Sequence, residues 1–418
     1  MRTTLRLLGL LSAAAFGTLA CDSTTVPPPP DATGSGGQGG QGGQGGAGGA
    51  GGQGGGGNGG SGGQGGGVGG SGGIPEFNCD DPIDIGAAPA GPASSSVDLL
   101  LVVDNSRGMA DKQAVLALSV PTLVARFTNP RCVDDVTGGF ASQPVSASDP
   151  CPAGSSRELA PVEDLHIGVI SSRLGGHGAD ACTSGHASEN DRAHLLDRSD
   201  TSGGPPVPSY DDQGFLAWDP NGQLAPPGES DEANLASNLG AMVQGVGEVG
   251  CGFEAPLEAM YRFLVEPDPH DTITIDPNSL AAVLEGTDQT VLDQRAAFLR
   301  PDSTLVVVLL SDENDCSTRD GGFFYFSNQL LAGGTPYRLP RPRAACATDP
   351  NDPCCRSCGQ APGPGCDTSQ DQCDAGALPA DQDAVSLRCF EQKRRFGIDF
   401  VYPIDRYYDG LTAELVAD

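Results

Sequence analysis

Four short stretches of the chain are almost wholly aliphatic, and the segments between them repeat apolar residues every three or four positions. Residues 97–103 (VDLLLVV), 166–171 (HIGVIS), 304–310 (TLVVVLL) and 398–402 (IDFVY) read as strands buried on both faces, since a half-exposed strand would alternate apolar with polar residues. The helical period predicts helices over 109–127, 232–246, 254–265 and 291–299, with Pro121 kinking the first. Strand alternating with helix predicts a mostly parallel central sheet covered by helices on both faces.

The links between these elements add detail. Residues 128–164 and 175–230 are far longer than ordinary αβ connections and are dominated by Gly, Pro, Asp and Ser, so they read as surface insertions. A third insertion, 346–373, holds six cysteines and too few apolar residues for a core. Such a piece must be cross-linked to be ordered. Cys355 and Cys358 have zinc-ligand spacing, but no second pair stands in a matching frame, so disulfides are expected. The predicted class is therefore α/β, Rossmann-like, with long surface insertions and a disulfide-rich insertion, over residues 79–418.

Residues 1–20 carry two arginines, then an apolar core too short to span a bilayer, then small residues. This is an export signal. Its ending, Thr-Leu-Ala-Cys, resembles the lipobox of bacterial lipoproteins, in which Cys21 becomes the lipidated first residue. Residues 21–78 are Pro- and Gly-rich and bury nothing that would offset ordering, so a disordered tether is expected, with an rms span of about 40 Å. The lipid on Cys21 would be the membrane anchor, and the expected location is the bacterial outer membrane or cell surface.

The formal charge is −31, and removal of the leader with its two arginines makes the balance more acidic still. Such a surface repels nucleic acid and anionic headgroups and attracts divalent cations. Fourteen cysteines in an exported chain imply disulfides. With Cys21 lipidated an odd number remains, so one thiol is free or pairs outside this sequence. Cys132 and Cys151 are expected to close an inserted loop.

Asp104 and Ser106 follow the first strand in DNSRGM, and Asp312, Glu313, Asn314 and Asp315 follow the 304–310 strand. Parallel sheets collect ligands at the carboxyl ends of their strands. Two strands thus deliver oxygen ligands to one edge, as a hard cation requires. A helix beginning near Met109 would add N–H groups favouring an acidic ligand beside the metal. In the alternative, Asp104 and Asp312 only cap helices and fix loops.

DNSRGM resembles the Asp-x-Ser-x-Ser motif of von Willebrand factor type A domains, whose metal-ion-dependent adhesion site binds Mg²⁺ or Mn²⁺. LLLVVDNS, LHIGVISSRLG, GCGFEAPLEAMYRFL, STLVVVLLSDENDCS and PIDRYYDGL fall in order over residues 95–418, a pattern similar to that of lipoproteins described as type A domain-like. In that family the motif follows the first strand, a Thr comes from a middle loop and an Asp follows the fourth strand. The resemblance implies Asp104, Ser106 and Asp312 as metal ligands. Gly108 stands where the motif has its second Ser. Glu254 stands near the expected Thr, giving a more anionic site suited to Ca²⁺. If the fold holds, the loops of Cys251 and Cys316 approach one another, and a disulfide between them would clamp the rim. The C-terminus has two readings: the chain stops short of the last strand, or residues 398–402 are that strand and 404–416 the final helix.

His177, Asp180, Cys182 and His186 are zinc-ligand types, but a Gly-rich exported loop is their more ordinary reading. Trp218 reads as a hydrophobic plug under an insertion, and Arg406, Tyr407 and Tyr408 as a helix surface with a core stripe. No Gly-x-Ser-x-Gly elbow, His-Glu-x-x-His or phosphate loop is present, so no catalytic residue is nominated and no enzyme is expected. The expected function is a lipid-anchored adhesion-type module that binds a protein or envelope component, not nucleic acid, through a degenerate metal site. The alternative is a structural envelope lipoprotein whose metal site is vestigial and whose cysteine-rich insertion makes the contact.

Overall fold

A computed structural model of the protein describes residues 96–175, 190–202, 204–249, 253–276, 278, 282–320, 330–331, 335–336, 338–379, 381–384 and 387–413. The expected leader, Cys21, the tether, Cys251 and the 177–186 histidine segment lie outside the described residues. The principal elements are β1 (Ser96–Val103), α1 (Ala110–Thr128), β2 (Cys132–Asp134), β3 (Phe140–Ser142), β4 (Ser155–Arg157), β5 (Asp164–Ser171), β6 (Phe215–Trp218), α2 (Glu232–Gly245) and α3 (Pro256–Leu264). They continue with β7 (Thr272–Ile275), β8 (Ala282–Glu285), α4 (Gln289–Phe298), β9 (Thr304–Leu310), α5 (Ala345–Thr348), α6 (Gln392–Phe396) and α7 (Ile404–Thr412).

The central sheet has the order β6-β5-β1-β9. Strands β5, β1 and β9 are parallel, and β6 closes one edge antiparallel to β5. Val103 pairs with both Ser171 and Leu310, so the three parallel strands end level. Asp104, Ser172 and Ser311 therefore follow those ends as neighbours.

Side-chain alternation divides β1 between two cores. Val97, Leu99, Leu101 and Val103 pack with Leu116, Val120 and Val124 of α1 and with Leu235, Leu239 and Met242 of α2. Leu100 and Val102 pack with Ile170 of β5, Phe263 of α3 and Phe298 of α4. Each fully buried aliphatic side chain contributes about 1.5–3 kcal/mol, which is why the run tolerates one charge. Asp98 is fully buried, but Arg300 Nη2 lies 2.7 Å from its Oδ1 and the Ser303 hydroxyl donates to Oδ2; a buried carboxylate is sustained by such pairing. Helix α1 continues through Pro121, which lies on its exposed side.

Two features depart from the sequence pattern. Strand β6, FLAW, lies inside what reads as a loop insertion, and its Trp218 joins the β1 core. Residues 398–402 form no strand of the central sheet. Their ladder is a single antiparallel bridge from Val401 to Thr318, with Tyr402 N donating to Ser317 O at 2.9 Å. Phe400 packs instead with Leu339 and Phe396, because Asp399 and Pro403 bracket a run too short to bury both its faces. Helix α7 follows directly.

The 128–164 insertion forms a small antiparallel sheet, β3-β2-β4, tied by the Cys132–Cys151 disulfide. In the cysteine-rich insertion Cys346–Cys355, Cys354–Cys366 and Cys358–Cys373 pair internally, so Cys355 and Cys358 serve different bridges. A further disulfide, Cys316–Cys389, ties the loop after β9 to the chain beyond that insertion. The five disulfides among the described residues indicate an exported protein from an oxidising compartment. Among the described residues no helix is long and apolar enough to cross a membrane.

Candidate functional site

The carboxyl ends of β5, β1 and β9 carry a buried polar group of side chains. Asp104 is fully buried. Its amide extends the ladder by donating to Leu310 O at 2.9 Å. Its Oδ1 accepts from Ser106 N at 2.6 Å and its Oδ2 from Ser311 Oγ at 2.6 Å. The first bond closes a tight Asx-type turn out of the strand. That turn is completed by Gly108 at φ +110°, a conformation that a serine would adopt only with strain. The backbone thus accounts for the glycine at the position where the motif has its second hydroxyl.

Glu254 reaches the same region from the loop between α2 and α3. Pro256 is the first helical residue of α3, a favoured place for it, so the helix begins two residues later than the apolar period implies and Glu254 stays outside. Ala255 N donates to Ser172 O at 2.8 Å and Cys316 N to Glu254 O at 2.7 Å. The middle loop is therefore fastened to both the β5 and β9 ends. Glu254 is buried, its Oε2 accepts from the Ser172 hydroxyl, and its Oε1 lies 3.6 Å from Arg173 Nη1. Burial pushes its carboxyl up to about 7, with the negative charges of Asp104 and Glu313 adding to the rise and Arg173 and Ser172 opposing it. Burial, then Asp104 and Asp312, also raise Glu313.

Two oxygens of this group, Ser106 Oγ and Glu254 Oε1, are buried without a hydrogen-bond partner. An oxygen left so costs about 1–3 kcal/mol. The arrangement can therefore accept a proton, a donor or a cation at little further desolvation. Among the described residues no three His, Cys, Asp or Glu side chains gather closely enough to hold a metal ion, so any cation here would depend on hydroxyl and water oxygens as well.

The anticipated residues divide. Asp104, Ser106 and Glu254 belong to the group. Asp312 shares the edge, but its carboxylate pairs with Lys112 Nζ at 3.0 Å, and Ser311 makes the contact to Asp104 instead. Asp315 caps α3: its Oδ1 accepts from Leu257 N at 3.1 Å, and Ser317 Oγ accepts from Glu258 N at 3.0 Å. The amino terminus of α1 is covered by the chain itself, since Glu248 Oε1 accepts from Gly108 N at 2.9 Å and Ala110 N at 3.2 Å. The expected disulfide between Cys251 and Cys316 does not form: Cys316 bonds Cys389, although the loops before and after them do converge through the Cys316 N to Glu254 O bond.

Ser172, Arg173, Ser311 and Glu248 were not anticipated. Ser172 and Ser311 directly follow strand ends that the aliphatic runs already mark, with Arg173 one residue further, and that position was their available signal. Glu248 had none, because its role depends on how the chain leaves α2. No protein-family model, curated protein or solved structure matches the chain.

Proposed function

We propose that the protein is an exported, non-catalytic binding module of the cell envelope, anchored through a lipidated Cys21. In this reading the group at the tips of β1, β5 and β9 holds a divalent cation that an acidic group of the partner helps to coordinate. The carrying observation is the pair of buried oxygens without a hydrogen bond, Ser106 Oγ and Glu254 Oε1, the latter opposed by the Arg173 guanidinium at 3.6 Å, in the group that contains the Asp104 carboxylate. Hard cations take several oxygens at once. The order of elements lends support: β1 carries the DNS motif and β9 is the fourth strand of the central sheet along the chain, the two places from which type A domains draw their aspartates. Asp104, Ser106 and Glu254 would be the protein ligands. Mg²⁺, Mn²⁺ and Ca²⁺ are the candidates, and the ion would supply the positive charge that joins an acidic partner to an acidic protein.

Thermal melting of the full chain with each ion or a chelator tests this. An ion at a hundred times its Kd should stabilise the wild type by about 2.7 kcal/mol and leave Asp104→Asn unmoved. Equal melting under all conditions removes the proposal. The second reading, a structural lipoprotein with a vestigial site, draws on the Lys112–Asp312 pair and on Glu248 over the helix terminus. Lys112→Ala separates the two: releasing Asp312 strengthens the ion response in the first reading and creates none in the second.

A further inference from the structure

The cysteine-rich region contains a second candidate site, of opposite charge. Between residues 338 and 397 eight basic residues balance eight acidic ones, so the rest of the chain carries the whole −31. Within this neutral region a cavity of about 470 Å³ is lined by three arginines, Arg341, Arg343 and Arg395, by three glutamines, Gln370, Gln372 and Gln382, and by apolar residues including Pro342 and Leu378. Among the described residues no acidic one lines it.

The arginines are only partly satisfied. Arg343 is 8 % exposed; it pairs with Asp371 at 2.6 Å and donates to Gln360 O at 2.7 Å, yet its Nε is buried without a partner. Arg341 Nε is likewise buried and unbonded. Arg395 is held by the carbonyls of Leu387 and Gln382 and stacks 5.0 Å from the Phe396 ring centre. Carbonyls and a ring position a guanidinium without neutralising it.

We infer that this cavity binds an acidic saccharide unit, a sugar ring bearing a carboxylate or phosphate. Guanidinium groups with free N–H donors recognise planar oxyanions. The glutamine amides both donate and accept, as sugar hydroxyls require, and the apolar residues give a ring face something to lie on. The volume is in the range of small-ligand sites. The surrounding acidity makes the selection sharper, because an anion finds few other places on this protein to bind.

Isothermal titration of the disulfide-intact full chain tests the inference, with four probes: an oligogalacturonate, a sugar phosphate, a neutral maltooligosaccharide and inorganic phosphate. Binding of either acidic sugar, weakened about tenfold or more in Arg341→Gln, absent for the neutral sugar and unchanged in Asp104→Asn, supports it. The relative affinity of carboxylate and phosphate probes then names the anion. Arg341→Gln has no ion pair to break, so its melting temperature should match the wild type, and Arg341→Lys should restore part of the affinity. Equal binding of the neutral sugar, indifference to Arg341→Gln, binding of inorganic phosphate alone, or no binding at all would each overturn the inference.

Discussion

The central sheet and the cysteine-rich region solve the problem of order by different means. Strand β1 buries Leu99, Leu100, Leu101, Val102 and Val103 between two helical layers. The region around 346–373 relies on three disulfides spanning 9, 12 and 15 residues, on the Arg343–Asp371 pair and on the fully buried Arg388–Asp383 pair. Hydrophobic burial shows in the sequence and is indifferent to redox conditions, whereas cross-linking shows only as composition and is lost on reduction. The difference also separates the two candidate sites: an acidic one at the tips of an aliphatic sheet, and a basic one inside a cystine framework.

The largest way to break the comparison is reduction. A disulfide closing a loop of about 15 residues contributes roughly 3 kcal/mol, so losing three should unfold the 346–373 region while β1, β5 and β9 keep their amides protected. Hydrogen exchange with and without reductant checks this, and simultaneous loss of protection in both regions would contradict it. Leu101→Ala is the converse cut. Its side chain is buried, and truncation should cost about 2–5 kcal/mol in denaturant unfolding while leaving the disulfide pattern in a nonreduced digest intact.

The same contrast governs how much was legible in the sequence. Runs such as TLVVVLL have no comfortable solvent-facing reading, so β1, β5 and β9 could be placed from residues alone. Strand β6 could not, because four residues inside a polar insertion carry too little pattern, and 398–402 misled because Ile398, Phe400 and Val401 found a local core instead of the sheet. At the site, Asp104 and Ser106 were visible as strand-tip residues. The diversion of Asp312 to Lys112 was not, since it depends on a side chain in the first turn of α1. Nor was the partner of Cys316, because Cys389 lies 73 residues away and cysteine count fixes no connectivity.

A smaller effect sharpens the comparison through pH. Glu254 has its folded pKa raised from 4.5 to about 7 by burial, so between those values the folded chain holds a proton that the unfolded chain has released. Its contribution is complete below about pH 4.5 and is lost as pH rises toward 7. Glu254→Gln should therefore flatten the fall in stability and gain up to about 3 kcal/mol over wild type at pH 8. Urea unfolding at pH 5 and pH 8 measures it. An unchanged slope would mean that Glu254 is solvated and the pocket open.

The central claim is that Asp104, Ser106 and Glu254 form one cation pocket, and Mn²⁺ binding followed by electron paramagnetic resonance at pH 8 and pH 6 tests it most directly. Because the ion must displace the Glu254 proton, the account predicts a bound signal in the wild type whose affinity drops about tenfold at pH 6 and which Asp104→Asn abolishes. No bound Mn²⁺ at either pH, or binding that ignores Asp104, would contradict it.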